Sequence, residues 1–218
     1  MIVYNYCKSS LISFSNNFEN RIDYYKNCPD KVSKATNGAL CYLVTLVAQG
    51  AILFLAEKAG LCPSLKLFTA PLQNFRRLTG FEKFVSFIAI FPVNGVTCVV
   101  FPIIMEIVFR EVIQRDLLKE RLGSLLERIS PKLKDLKQSN KMTVARIAVT
   151  SCLYSAYHIR NYALMSREQL IFQLIQTTIF SIGAGYVRET EDLFTATTMH
   201  GYQNLLGSLI YQGRLLTA

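Results

Sequence analysis

The stretch FVSFIAIFPVNGVTCVVFPIIM, residues 84–105, runs for 22 positions without a charged side chain and then meets Glu106 and, four residues on, Arg110. About 20 apolar residues are what one helix needs to cross the hydrocarbon core of a bilayer. Four further windows are equally free of acids, lysine and arginine: Ala35–Ala56, Ile147–Ile159, Gln169–Val187 and Leu193–Gly213. Three of them are long enough to span unaided. Ile147–Ile159 reaches the length when extended back through Arg146 to Met142, with Arg146 expected to snorkel from its end toward the headgroups.

Composition points the same way, with 51% hydrophobic residues, 18% charged residues and a mean hydropathy of +0.26. That balance belongs to a membrane protein. A soluble bundle of fully buried helices would also read as apolar, but several uncharged runs near 20 residues argue against it. The expected fold is all-α and polytopic, with about five transmembrane helices and one amphipathic interfacial helix. A polar, amphipathic N-terminal segment over 1–34 precedes a helical membrane domain over 35–218. Met1–Lys34 scatters Lys8, Glu19, Arg21, Asp23, Lys26 and Asp30 among short apolar groups, unlike a cleavable signal, so the first span is expected to direct membrane entry.

The formal net charge is +9, yet the basic residues are dispersed through connecting segments instead of gathered with stacking aromatics. Contact with membrane lipids accounts for them, and no nucleic-acid partner is expected. Arg110–Lys141 carries nine Lys or Arg against five acids, with Leu117, Leu118, Leu122, Leu125, Leu126 and Ile129 at helical spacing. That is the amphipathic interfacial helix. If all five windows cross, 15 Lys or Arg fall on the N-terminal side and eight opposite, with Arg146 counted inside its window. The positive-inside rule then puts the N-terminus in the cytoplasm. Six cysteines without a CxxC pair support neither a disulfide framework nor a thiolate zinc site.

Three polar pairs interrupt the apolar helices: Glu106 with Arg110, Tyr154 with His158, and His200 with Asn204. Residues four apart share a helix face. An ionisable residue at membrane depth is expensive and marks a functional site by default. Each pair also has a bland reading. Glu106 and Arg110 could form an ordinary intrahelical ion pair, while the histidines and Asn204 could be polar contacts between helices worth about 1 kcal/mol each. Tyr154 reads as packing, Gln114 and Arg115 as solvated or headgroup-facing, and the small residues Ser181, Gly183 and Gly185 as helix packing.

Taken in order, the three pairs resemble the CPBP family, membrane-embedded proteases that include the CAAX prenyl endopeptidase of the Rce type and bacterial bacteriocin-processing or immunity proteins. The family's EExxxR motif is similar to Met105-Glu106-Ile107-Val108-Phe109-Arg110, with Gln114 beyond it. Its aromatic-xxx-His motif is similar to Tyr154–His158, and its HxxxN motif to His200–Asn204. The resemblance covers residues 84–218. It implies an endopeptidase acting on a lipidated or transmembrane peptide substrate. A glutamate and His158 would activate water, and His200 with Asn204 would stabilise the oxyanion. Arg110 would be a structural ion-pair partner, and His158 and His200 could hold a metal, with zinc the candidate ion. A bacterial inner (plasma) membrane location is the matching expectation.

The chain departs from this pattern at Met105, which stands where the first glutamate, the general base, belongs. Neighbouring helical residues point about 100° apart, so Glu106 is expected to pair with Arg110 rather than to take over the vacant role. A positioned general base is worth about 10²- to 10⁴-fold in rate. Two readings therefore stand side by side: an active endopeptidase with Glu106, His158, His200 and Asn204 as catalytic residues, and an inactive relative acting as a membrane binding or immunity-type protein. A small transporter ranks below both, since no repeated halves or broken-helix signals are visible.

Overall fold

The structure, a computed structural model, describes residues 19–60, 96–130, 139–163 and 166–217. Residues 84–95, the first half of the second apolar window, lie outside these. The described residues are helical throughout, without a strand. Helix α1 covers 19–27 and α2 covers Lys31–Lys58. A continuous rod, α3, covers 96–129. It is π-wound over Val96–Val100 and Ile107–Arg121 and α-wound over Phe101–Glu106 and Leu122–Ile129. Helix α4 is Asn140–Tyr157, followed by a 3₁₀ segment His158–Ala163; α5 is Arg167–Thr190 and α6 is Leu193–Thr217.

Two of these helices, α2 with 28 residues and α5 with 24, are long and apolar enough to cross a membrane. At 1.5 Å per residue they extend about 42 and 36 Å, more than the roughly 30 Å hydrocarbon core. Leu40, Leu43, Val44, Val47 and Leu55 of α2 are exposed on the bundle's outside, where a lipid-facing surface would be apolar. Of the expected interfacial helix over Arg110–Lys141, residues 131–138 lie outside the described residues, and 110–129 form the outer half of α3. No break separates it from the segment carrying Glu106, and Leu117, Leu122, Leu125 and Ile129 are exposed along it.

Helix ends are specified locally. Ser166 and Gln169 form a reciprocal capping box at the start of α5, and Ser139 Oγ accepts from the Met142 N–H at the start of α4. The main packed pairs are α4 with α5 and α2 with α6. At Gly38 of α2 any Cβ would collide with Thr198 Oγ1 and stand 2.9 Å from the Thr195 carbonyl oxygen. Only glycine permits α2 to lie this close to α6. The apolar core gathers Tyr42, Met105, Phe109, Tyr154, Phe180 and Met199 from α2, α3, α4, α5 and α6.

Charged hubs tie the elements together at the bundle's charged end. The buried Glu111 carboxylate takes Arg115 at 2.7 Å and Arg188 of α5, with Arg21 of α1 at 3.8 Å. Arg21 also pairs with Asp116, and Tyr25 Oη lies 2.6 Å from Thr197 Oγ1, so α1 is fastened to α3 and α6. Arg146 does not snorkel as expected. It is buried, donates to Thr143 Oγ1 and pairs with Glu189 at 3.5 Å, because α5 delivers a carboxylate to its side. The four cysteines among the described residues, Cys28, Cys41, Cys98 and Cys152, are free.

Asp192, in the turn between α5 and α6, accepts from the Thr195 N–H at 2.8 Å and pairs with Lys34 Nζ at 2.5 Å. Burial pushes its carboxyl up, but the Lys34 ammonium and Thr195 more than offset this and hold it below the usual carboxylate range. A depressed carboxylate contributes stability that is present above its unfolded pKa, about 3.9, and lost as pH falls through the lower folded value. Wild type should therefore melt above Asp192→Asn at pH 7 in detergent. That gap should close as pH drops below about 4, and a pH-independent gap would rule out the charged pair as its source.

Candidate active site

The π winding of α3 begins directly after Glu106, and such segments recur at functional sites. Glu106 and Arg110 are fully buried, at 0% exposure each. Arg110 Nε donates to Glu106 Oε2 at 3.0 Å, one turn apart on the same rod. The other carboxylate oxygen, Oε1, lies 2.9 Å from Nδ1 of His200 on α6. Glu106 thus makes the expected pair with Arg110 and in addition joins its helix to α6 through His200. The methionine at 105 turns instead into the apolar core, 5% exposed among Phe109, Tyr154 and Phe180.

Arg110 is itself held from α5. Its NH2 group donates to Ser181 Oγ at 2.7 Å and NH1 to Gln114 Oε1 at 3.4 Å. Gln114 Nε2 donates to the Gly185 carbonyl and to Glu189 Oε1, both at 3.1 Å. A Cβ at position 185 would stand 3.2 Å from Gln114 Oε1 and 3.1 Å from Ile147 Cγ2, so the glycine lets the amide reach the backbone. Gln114 is buried, not headgroup-facing as the sequence suggests, because it satisfies donors and acceptors that no water reaches.

His158 begins the 3₁₀ segment at the end of α4, and its buried Nε2 has no hydrogen-bond partner among the described residues. Its ring meets the Tyr154 ring edge-on at 5.2 Å and the Tyr157 ring at 5.6 Å. The Tyr154 ring lies 6.0 Å from that of His200, with Tyr154 Oη 3.3 Å from His200 Nε2. Asn204, one turn along α6 from His200, donates from Nδ2 to the Thr97 carbonyl at 2.8 Å and so anchors α6 to the start of α3. The structure thus brings Glu106, Arg110 and His200 into direct contact, links His158 to them through Tyr154, and gives Asn204 a separate backbone partner. Sequence reasoning left out Tyr154, Gln114 and Ser181. The signal for Gln114 was its place four residues past Arg110 on the same rod.

Zinc takes three or four protein ligands. Among the described residues no group of three or more His, Cys, Asp or Glu side chains could hold an ion. Both Glu106 oxygens are engaged by Arg110 and His200. Two imidazole rings remain, each able to supply one ligand, and these described donors do not fit a resident zinc.

Removing one partner of a buried ion pair leaves an uncompensated charge and costs about 3–5 kcal/mol. Arg110→Leu is therefore expected to be strongly destabilised in detergent unfolding experiments. Pairing it with Glu106→Gln should recover most of the loss, and a double variant no more stable than the single would contradict this account.

No curated protein and no solved structure matches this chain. The family model described as Type II CAAX prenyl endopeptidase Rce1-like matches residues 87–206, more than half of the sequence and all three polar pairs. Its members are membrane-embedded, in keeping with the apolar helices described above. With three motifs in order inside this match, the chain belongs to the Rce1-like family of type II CAAX prenyl endopeptidases.

Proposed function

We propose that the chain is a membrane-embedded endopeptidase that hydrolyses a peptide bond in a lipidated or membrane-associated substrate, with Glu106, His158, His200 and Asn204 as its catalytic residues. The observation that carries this reading is the fully buried Glu106 carboxylate, held by Arg110 and aimed at His200 Nδ1. A charge buried at such cost needs a reason, and orienting an imidazole is what a carboxylate does in hydrolytic sites. His158 Nε2 is buried and unpartnered among the described residues, and in the tautomer with its proton on Nδ1 it can take a proton from the attacking water. The family resemblance assigns Asn204 and His200 to the oxygen side of the carbonyl, with the His200 ring oriented there by Glu106 at Nδ1.

No step depends on a metal, so cleavage should persist in the presence of a strong chelator. The deciding experiment follows cleavage of a prenylated CAAX peptide and of membrane-anchored reporters by wild type, His158→Ala and Met105→Glu. Wild-type cleavage lost in His158→Ala is the expected result, with a fall of about 10²- to 10⁴-fold for a missing general base. Cleavage by Met105→Glu alone would mark the natural protein as an inactive, binding-type relative.

Five crossings with the N-terminus in the cytoplasm of a bacterial plasma membrane complete the proposal, supported by the excess of Lys and Arg on that side. Reporter fusions within 1–34 and 131–138 should both read as cytoplasmic, and opposite readings would overturn the topology.

A further inference from the structure

Tyr154 sits between the two histidines of the site. Its ring is 3% exposed, edge-on to Phe109 at 5.1 Å and 5.8 Å from the Arg110 guanidinium carbon. Packing explains the ring. It does not explain the hydroxyl, which costs about 1–3 kcal/mol when buried without a partner and here faces His200 Nε2 at 3.3 Å. With the Glu106 carboxylate at Nδ1, the proton of a neutral imidazole belongs on Nδ1, leaving Nε2 as the lone-pair edge. The phenol then donates to Nε2.

Two further observations bear on what this hydroxyl does. The Asn204 amide, assigned to the oxyanion by resemblance, already donates to the Thr97 carbonyl. Met105 brings a thioether to the core where the family pattern has a carboxylate. The cluster therefore holds one polar group fewer than the family pattern, and Tyr154 brings a buried hydroxyl into it.

Building on the protease reading, we infer that Tyr154 is a catalytic residue whose hydroxyl leaves His200 Nε2 and donates its hydrogen bond to the scissile carbonyl oxygen as that oxygen becomes negative. The water oxygen bonds to the carbonyl carbon, the π pair moves onto the carbonyl oxygen, and the water proton passes to His158 Nε2. Collapse of the tetrahedral species breaks the C–N bond, and the proton on His158 goes to the departing amine. Tyr154 keeps its own proton throughout and returns to His200. Removing such a donor costs about 10²- to 10³-fold in kcat in a characterised hydrolase.

The test compares purified full-length wild type and Tyr154→Phe on a fluorogenic prenylated CAAX peptide, with thermal midpoints measured alongside. The variant keeps the ring and its edge contacts. A kcat lowered by about 10²-fold or more with KM nearly unchanged is the expected result. A Tyr154→Phe kcat within about twofold of wild type, far below the loss of an oxyanion donor, would overturn the inference alone and leave the protease reading standing. Silence from wild type would overturn both. Should Tyr154→Phe fail to fold, fluorotyrosine at position 154 alters the phenol's acidity while nearly preserving its shape. An unchanged kcat there would equally overturn the catalytic role.

Discussion

The Glu106–Arg110 pair is the constraint around which the bundle is arranged. Both side chains are completely enclosed, and two charges taken out of water are stabilised only when geometry is good and remaining lone pairs and protons find partners. One carboxylate oxygen is met by the arginine and the other by His200. The arginine's remaining donors reach Ser181 and Gln114. Gln114 shares the α3 rod, but His200 and Ser181 arrive on α6 and α5, and α5 presents small residues here so that it can approach closely. Ser181 and Gly185 act as an acceptor and a gap, not merely as the smooth packing surface their size suggests.

The same polar chain runs outward. Gln114 passes from Arg110 to Glu189, and Glu189 is shared with Lys119 and Arg146. Next to it, Arg188 closes on Glu111, where Arg115 and Arg21 also converge. The end of α5 thus holds α3, α4 and, through Glu111, α1 in one electrostatic network. The apolar core of Phe109, Phe180 and Met199 lies beside this network and supplies the low-dielectric surroundings in which its contacts are strong.

Much of this was legible in the residues because membranes impose simple rules. Apolar runs fixed the helical class, and three pairs at i,i+4 spacing named Glu106, Arg110, His158, His200 and Asn204 as the polar content. What escaped was three-dimensional. Nothing local distinguishes a tyrosine that packs from one whose hydroxyl meets His200, since both look like a single aromatic one turn before a histidine. Gln114 read as surface because it adjoins a basic stretch, yet a rod that continues unbroken past Arg110 carries it into the interior. Arg146 was expected at the headgroups because Glu189, 43 positions later in the sequence, could not be known to come alongside. The placement of Glu106 against His200 depends on helices 94 residues apart, a separation over which spacing carries no information.

Glu106 and Arg110 lie one turn apart on one helix, whereas the histidine that completes the carboxylate's coordination arrives on α6. The ion pair can close as soon as the α3 rod winds, so the carboxylate need never face hydrocarbon as a bare anion. Arg110 thereby acts as a travelling counter-ion that lets a costly acid enter the bilayer early and wait there, nearly neutral, for its last helix.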